Sequence, residues 1–223
     1  MLQRLLSLFL LLLTLGESAV NGYVDEMNLG GNLYLVNREF AVSFDYEPDD
    51  LVLPNVKRTG NTVMLRAEAA NALEQLFAAA KEQGHTLVAV SGYRSYRTQS
   101  NIFARKVNSV GKRAAMLLVA PPGTSEHQLG LAMDIGCQGE MGLESSFGRT
   151  EEGKWVAQNC HRFGFIIRYK EEWTDITGYA YEPWHLRYIG EEHAQRVWEA
   201  DIPLEYYIEE LRNAQFALIT EKE

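Results

Sequence analysis

The sequence predicts an α+β fold in one domain, and three observations lead there. Helical and strand-like segments follow one another without the βαβ regularity of a parallel sheet. The 223 residues contain no internal repeat and no low-complexity linker, so a single full-sized core accounts for them. Charged residues make up 23% and aromatics 11%, the balance of a packed globular chain rather than a disordered one.

Taken in order, residues 1–19 stand apart from the fold. One Arg at position 4 precedes an almost unbroken run of Leu and Phe, and the small residues Gly16, Ser18 and Ala19 follow. This reads as a secretory signal peptide, too short to span a bilayer comfortably; an uncleaved anchor is the alternative. No later segment is long and apolar enough to cross a membrane, so an exported protein, in periplasm or cell envelope, is expected without a stable span after cleavage.

Residues 20–32 contain Gly and Asn and read as loose, and residues 33–36 as a short strand. The stretch 37–61, with Pro48 and Pro54, has no pattern and is expected to wrap a core. Apolar residues at helical spacing over 64–83, closed by Gly84, predict a helix. Residues 86–90 predict a buried strand running into Ser91-Gly92-Tyr93-Arg94. Ser95 can cap a second helix to about residue 110, extended by 112–119 and stopped by Pro121-Pro122-Gly123. Residues 131–136 read as a strand carrying Asp134, and 150–163 as an amphipathic helix ended by Gly164. Residues 165–169 and 184–188 are further strands, and 190–200 and 203–214 two terminal helices.

The net charge of −9 argues against a nucleic-acid partner, which calls for a basic face to neutralise phosphates. It does not limit small substrates, since one Arg can dominate a pocket. Export makes a disulfide between Cys137 and Cys160 chemically possible, with two buried thiols as the alternative. Neither cysteine sits in a catalytic or zinc-binding pattern. His85, His161 and His193 read as ordinary structural histidines.

The chemistry concentrates in two fragments, SEHQLGLAMD at residues 125–134 and EPWH at residues 182–185. Together they supply two imidazoles, one carboxylate able to hold a metal and a spare carboxylate, which suits a mononuclear zinc hydrolase. Two neutral His and one Asp leave Zn²⁺ a net positive charge, enough to bring the pKa of bound water to about 7. His127 and Asp134 are seven apart and cannot face one way along an unbroken strand, but Gly130 permits a turn between them. Ala132 shares the face of Asp134 and leaves room. Pro183 disrupts regular strand geometry, so Glu182 and His185 can point into one cleft. Neither fragment alone specifies a site; together, and in order, they do. No HExxH helix occurs, so the arrangement is not that of the zincins.

With SGYRSYRTQ (91–99), SEHQLGLAMD (125–134) and GYAYEPWHLRYIG (178–190), the chain resembles the VanY-type D,D- and L,D-carboxypeptidases of bacterial cell walls. LVNREFAVSFDYEPDDLV (35–52) is similar to the family's N-terminal stretch, so the resemblance covers about residues 33–215. It implies a compact α+β domain, with a small antiparallel sheet flanked by helices, around one zinc. It further implies His127, Asp134 and His185 as metal ligands, Glu182 as the catalytic glutamate, and Arg94 as the motif arginine. The implied reaction is removal of a terminal D-alanine from peptidoglycan stem peptides.

Within that reading Glu182 takes the proton of the attacking water and returns it to the leaving amine, while Arg94 stabilises the oxyanion or binds the substrate carboxylate. Gln99 and Ser125 lie in the matching motifs and are candidates for substrate binding, against a solvated helix position and a turn residue. Tyr181 and Trp184 flank Glu182 and either wall the cleft or pack in the core. Tyr93 and Tyr96 read as packing residues. Arg168 and Lys170 read as a solvated pair or as an attraction for the substrate's anionic groups. The competing functions are a zinc endopeptidase or amidase cutting inside the wall peptide, and a peptidoglycan-binding module without turnover.

Overall fold

The computed structural model describes residues 31–61 and 63–220, with side chains to residue 214. The expected signal peptide, residues 1–19, lies outside the described residues. The described residues divide into two compact units, Val36–Tyr207 and a smaller one to which 31–35 and 208–220 belong. Everything that bears on the chemistry lies in Val36–Tyr207.

That unit is built on a four-stranded antiparallel sheet. In chain order its elements begin with a two-residue ladder, β1 (Leu51–Val52) against β2 (Leu65–Arg66), followed by helix α1 (Ala67–Glu82). Strand β3 (Leu87–Ser91) leads to helices α2 (Tyr96–Val110) and α3 (Lys112–Leu118), and then to strand β4 (Ala132–Cys137). Helix α4 (Glu151–Asn159), strand β5 (Phe165–Tyr169), the short helix α5 (Thr174–Thr177) and strand β6 (Glu182–Tyr188) follow. Helices α6 (Glu191–Ala200) and α7 (Leu204–Thr220) complete the order, and α7 runs on into the smaller unit. Spatially the strands run β3-β4-β6-β5, every neighbour antiparallel. This is the α+β class, with helices flanking a small antiparallel sheet.

Local chemistry explains these elements. Helix α1 is Ala- and Leu-rich and buries Ala69, Leu73, Leu76 and Ala80, positions spaced to form one apolar stripe. It begins three residues later than the pattern suggested because Leu65 and Arg66 pair with β1 instead. Ser95 caps α2 by accepting from the Thr98 amide, and Thr150 caps α4 by accepting from the Gly153 amide. The helix expected over 150–163 is α only to Asn159 and tightens into a 3-10 turn, Cys160–Phe163. Strand β4 is buried at every position, which places the sheet's centre in the core.

Two expectations are corrected, and one open choice is decided. Residues 33–36 do not form a strand: a 3-10 turn at Gly31–Leu33 leads into irregular chain that buries Leu35 and Val36 without entering a strand ladder. An apolar run signals burial, and here burial needs no pairing. Of the two alternatives left open for the cysteines, the buried thiols hold: Cys137 and Cys160 are both free, and burial pushes the Cys160 thiol up to about 12, far from any reactive thiolate. Arg168 is neither solvated nor open to substrate; it is fully buried between two carboxylates. Among the described residues, no helix is long and apolar enough to cross a membrane.

Candidate metal centre

Three elements deliver the predicted ligands. His127 sits in a buried 3-10 turn, Glu126–Leu129, that ends at Gly130 in the left-handed conformation with φ 67°. Gly130 therefore makes the reversal that lets His127 turn back over the strand bearing Asp134. A side chain there would be strained, and its Cβ would lie 2.8 Å from Leu51 Cδ2. A second glycine fixes the ring. The Gly92 carbonyl accepts from His127 Nδ1 at 2.7 Å, and the Arg94 amide donates to the His127 carbonyl at 3.1 Å. Gly92 passes so close to residue 64 that a Cβ would meet the Met64 carbonyl at 2.3 Å. Because a carbonyl only accepts, His127 carries its proton on Nδ1 and presents an Nε2 lone pair.

Asp134 and His185 stand directly opposite one another in the β4–β6 register, so both project from the same face. Glu182 and His185 are three apart, which in a regular strand would put them on opposite faces. The β5–β6 pairing slips between Ile167↔Leu186 and Tyr169↔Glu182, so four steps along β6 match two along β5. This irregularity, with Pro183 inside it, turns both side chains inward.

The result is a tight constellation. Asp134 Oδ2 lies 3.2 Å from His127 Nε2, and Oδ1 lies 3.1 Å from His185 Nδ1. Glu182 Oε2 is 3.8 Å from the same Nδ1, and Arg94 Nη2 is 3.6 Å from Asp134 Oδ2. One ligand atom from each of His127, Asp134 and His185 lies within 4.8 Å of the others. His127 Nε2 and Asp134 Oδ1 are buried without a hydrogen-bond partner, an expense that a cation between them removes. Two imidazoles and one carboxylate, with room left over, is the donor set of a catalytic rather than a structural zinc site.

Electrostatics sort the roles. Burial, reinforced by Arg94, lowers His127 to about 4, so its ring is neutral. Burial opposes ionisation of Asp134, yet the two imidazoles hold its carboxylate well below the usual range. Burial would likewise lower His185, but the carboxylates of Asp134 and Glu126 overcome it and raise the ring to about 9 without a cation. Burial raises Glu182 to about 7, with Asp134 adding to the shift and His185 and Arg94 opposing it. Without a cation, the Glu182 carboxyl is thus held by burial in its readily protonated range.

The constellation lines a cavity of about 320 Å³. Arg94, Gln99, Ser125 and Trp184 all line it. Gln99 is buried rather than solvated; its Nε2 donates to the Ala120 carbonyl at 2.7 Å, and Oε1 has no partner. Tyr181 is not among the lining residues, and its hydroxyl lies against Gly148 instead. Lys170 pairs with Asp201 and does not line this cavity. His161 stacks on Trp198, a packing role.

Sequence reasoning missed Glu126, Tyr169 and Tyr179. The Tyr169 ring stands 4.9 Å from the His185 ring and 4.8 Å from Tyr179, so the pair walls one side of the site. Glu126, fully buried, meets His185 Nε2 at 3.3 Å. Its one visible signal was an acidic residue abutting a ligand histidine.

Comparison with known proteins identifies a family and related folds. The family model described as VanY, D-alanyl-D-alanine carboxypeptidase, matches residues 62–191. YodJ of Bacillus subtilis (strain 168), provisionally named a carboxypeptidase, is 46% identical over 86% of this chain and 72% of its own. The solved structure of the LdcB LD-carboxypeptidase superposes with a TM-score of 0.75 at 47% identity, over 80% of this chain and 87% of that one. A variant of the vancomycin-resistance D,D-pentapeptidase VanY, solved with Zn(II), gives a TM-score of 0.67 at 36% identity, over 79% and 98%.

Proposed function

Because the chain belongs to the VanY family of D-alanyl-D-alanine carboxypeptidases, we propose that it is a zinc carboxypeptidase that removes the terminal D-alanine of peptidoglycan stem peptides. The observation that carries this reading is the convergence of His127 Nε2, Asp134 and His185 Nδ1 in one cavity, with Glu182 beside them. His127, Asp134 and His185 are the zinc ligands. A zinc ion held there supplies Lewis-acid polarisation of the scissile carbonyl and acidity to a water molecule.

The protein's own groups do the rest. Glu182 accepts the proton of the attacking water and hands it to the departing amine of D-alanine, both within one buried pocket. Arg94 is mostly buried, with Nη2 3.6 Å from Asp134 Oδ2, which supports a role in stabilising the negative charge that develops on the carbonyl oxygen. The Ser125 hydroxyl and the remaining Nε2 hydrogen of Gln99 offer donors to the free carboxylate of the substrate. Trp184, Tyr169 and Tyr179 shape the walls. The apolar run at the start of the chain supports export, which brings the enzyme to the wall.

The higher identity to the LD-carboxypeptidase than to the D,D-pentapeptidase, 47% against 36%, favours an L,D bond. Incubating the zinc-loaded protein with defined tetrapeptides and pentapeptides, followed by mass spectrometry, tests both levels. Loss of one D-alanine from the tetrapeptide supports the full reading. Loss from the pentapeptide alone refutes the L,D preference, and internal cleavage refutes the carboxypeptidase.

A further inference from the structure

From the cavity wall at Glu126 a buried charge cluster extends away from the site, and no step above uses it. Glu126 comes from the 3-10 turn of His127, Arg168 from β5, Arg187 from β6 and Glu205 from α7. The two oxygens of Glu126 divide their work. Oε1 accepts from Arg168 Nε at 2.7 Å and from Arg187 Nη1 at 2.9 Å. Oε2 faces His185 Nε2 at 3.3 Å. Glu205 in turn grips Arg168 through Nη1 at 2.9 Å and Nη2 at 2.5 Å.

We propose that Glu126 is a positioning residue for the metal ligand His185: it holds the ring's proton on Nε2, aims the Nδ1 lone pair at the cation, and thereby sets the site's affinity for zinc. The inference rests on the zinc reading above. An imidazole that coordinates through one nitrogen carries its hydrogen on the other, and the partner of that hydrogen fixes tautomer and orientation. For His127 the partner is a neutral carbonyl, that of Gly92. For His185 it is a carboxylate, which also raises the basicity of the coordinating nitrogen.

The geometry leaves Glu126 little freedom to do anything else. Its side chain has no solvent exposure, and two guanidinium groups pin one oxygen while the other meets the ring. Arg187 lies two residues from His185 on β6, so one strand presents both the ligand and an anchor of the ligand's partner on the same face. Two carboxylates face two guanidiniums, so these four groups sum to zero charge. The cluster thus orients His185 without shifting the net charge behind the metal cavity.

Two measurements on the full chain test this. In a long-range ¹H–¹⁵N spectrum of the zinc-loaded wild type, His185 should show a protonated Nε2 and a coordinated Nδ1. Replacing Glu126→Gln should weaken zinc, measured by competition with a chromophoric chelator, by about 10- to 100-fold. It should also shift the absorption bands of the Co²⁺-substituted protein. A merely structural Glu126 would lower the melting temperature and leave affinity and Co²⁺ bands unchanged, which overturns the proposal. Coordination through Nε2 in the wild type overturns it as well, even if the variant does not fold. A wild-type protein that binds neither metal defeats the zinc reading itself, a distinct result.

Discussion

Asp134 and His185 face each other in register across β4 and β6, with Oδ1 3.1 Å from Nδ1, and each turns a further atom to a different neighbour. Asp134 Oδ2 reaches His127, and His185 Nε2 reaches Glu126. A single cross-strand pair therefore ties the site's far ligand to the buried charges behind it.

Replacing Asp134→Asn removes the only anion among the three ligands while keeping the residue's shape. Zinc content, measured by elemental analysis after dialysis, should fall from one per chain to near zero. The affinity loss should exceed the about 10- to 100-fold that changes behind a ligand cost. Circular dichroism should report an unchanged fold.

Glu182 contributes proton transfer and is not a ligand in this account. Glu182→Gln should therefore keep one zinc per chain and lower D-alanine release by about 10²- to 10⁴-fold. A variant with full zinc and wild-type turnover contradicts the role.

The Arg168–Glu205 pair predicts a pH dependence of stability. Burial would raise Glu205, but Arg168 outweighs it and holds the carboxyl below its ordinary value. The folded value is depressed, so the stabilisation is complete above the unfolded value of about 4.3 and is lost as pH falls through the folded one. Glu205→Gln should cost about 3 kcal/mol at neutral pH, as for breaking one side of a buried pair. In urea denaturation the gap to wild type should narrow as pH drops below about 4.

Gly130→Ala places a side chain at φ 67° and against Leu51. It should destabilise the protein by about 1–3 kcal/mol. Because the turn carries His127, zinc affinity should fall with it. Thermal unfolding with and without zinc would show the stabilisation by metal shrinking in the variant.

Much of the site was legible because its chemistry rests on residue types that few other roles require together. The turn at Gly130, the strand bearing Asp134 and the irregularity at Pro183 all carry local signals, and each positions one of the proposed site residues. The buried charge cluster carries almost none, only the adjacency of Glu126 to His127. An isolated Glu or Arg in a sequence reads as solvated, and only the meeting of Glu126, Arg168, Arg187 and Glu205, up to 79 positions apart (205 − 126), makes their burial tolerable. Tyr169 and Tyr179 reach the cavity for the same reason, through packing between segments. The two-residue strands β1 and β2 are too short for any periodicity to register, and the run at 33–36 shows that apolar character alone does not specify pairing.

The most direct test of the central claim is anomalous scattering at the zinc edge from crystals of the zinc-loaded protein. The account predicts one strong peak about 2.0–2.2 Å from His127 Nε2, His185 Nδ1 and an oxygen of Asp134. A peak at other residues, or none at this cluster in protein that still releases D-alanine, would contradict it.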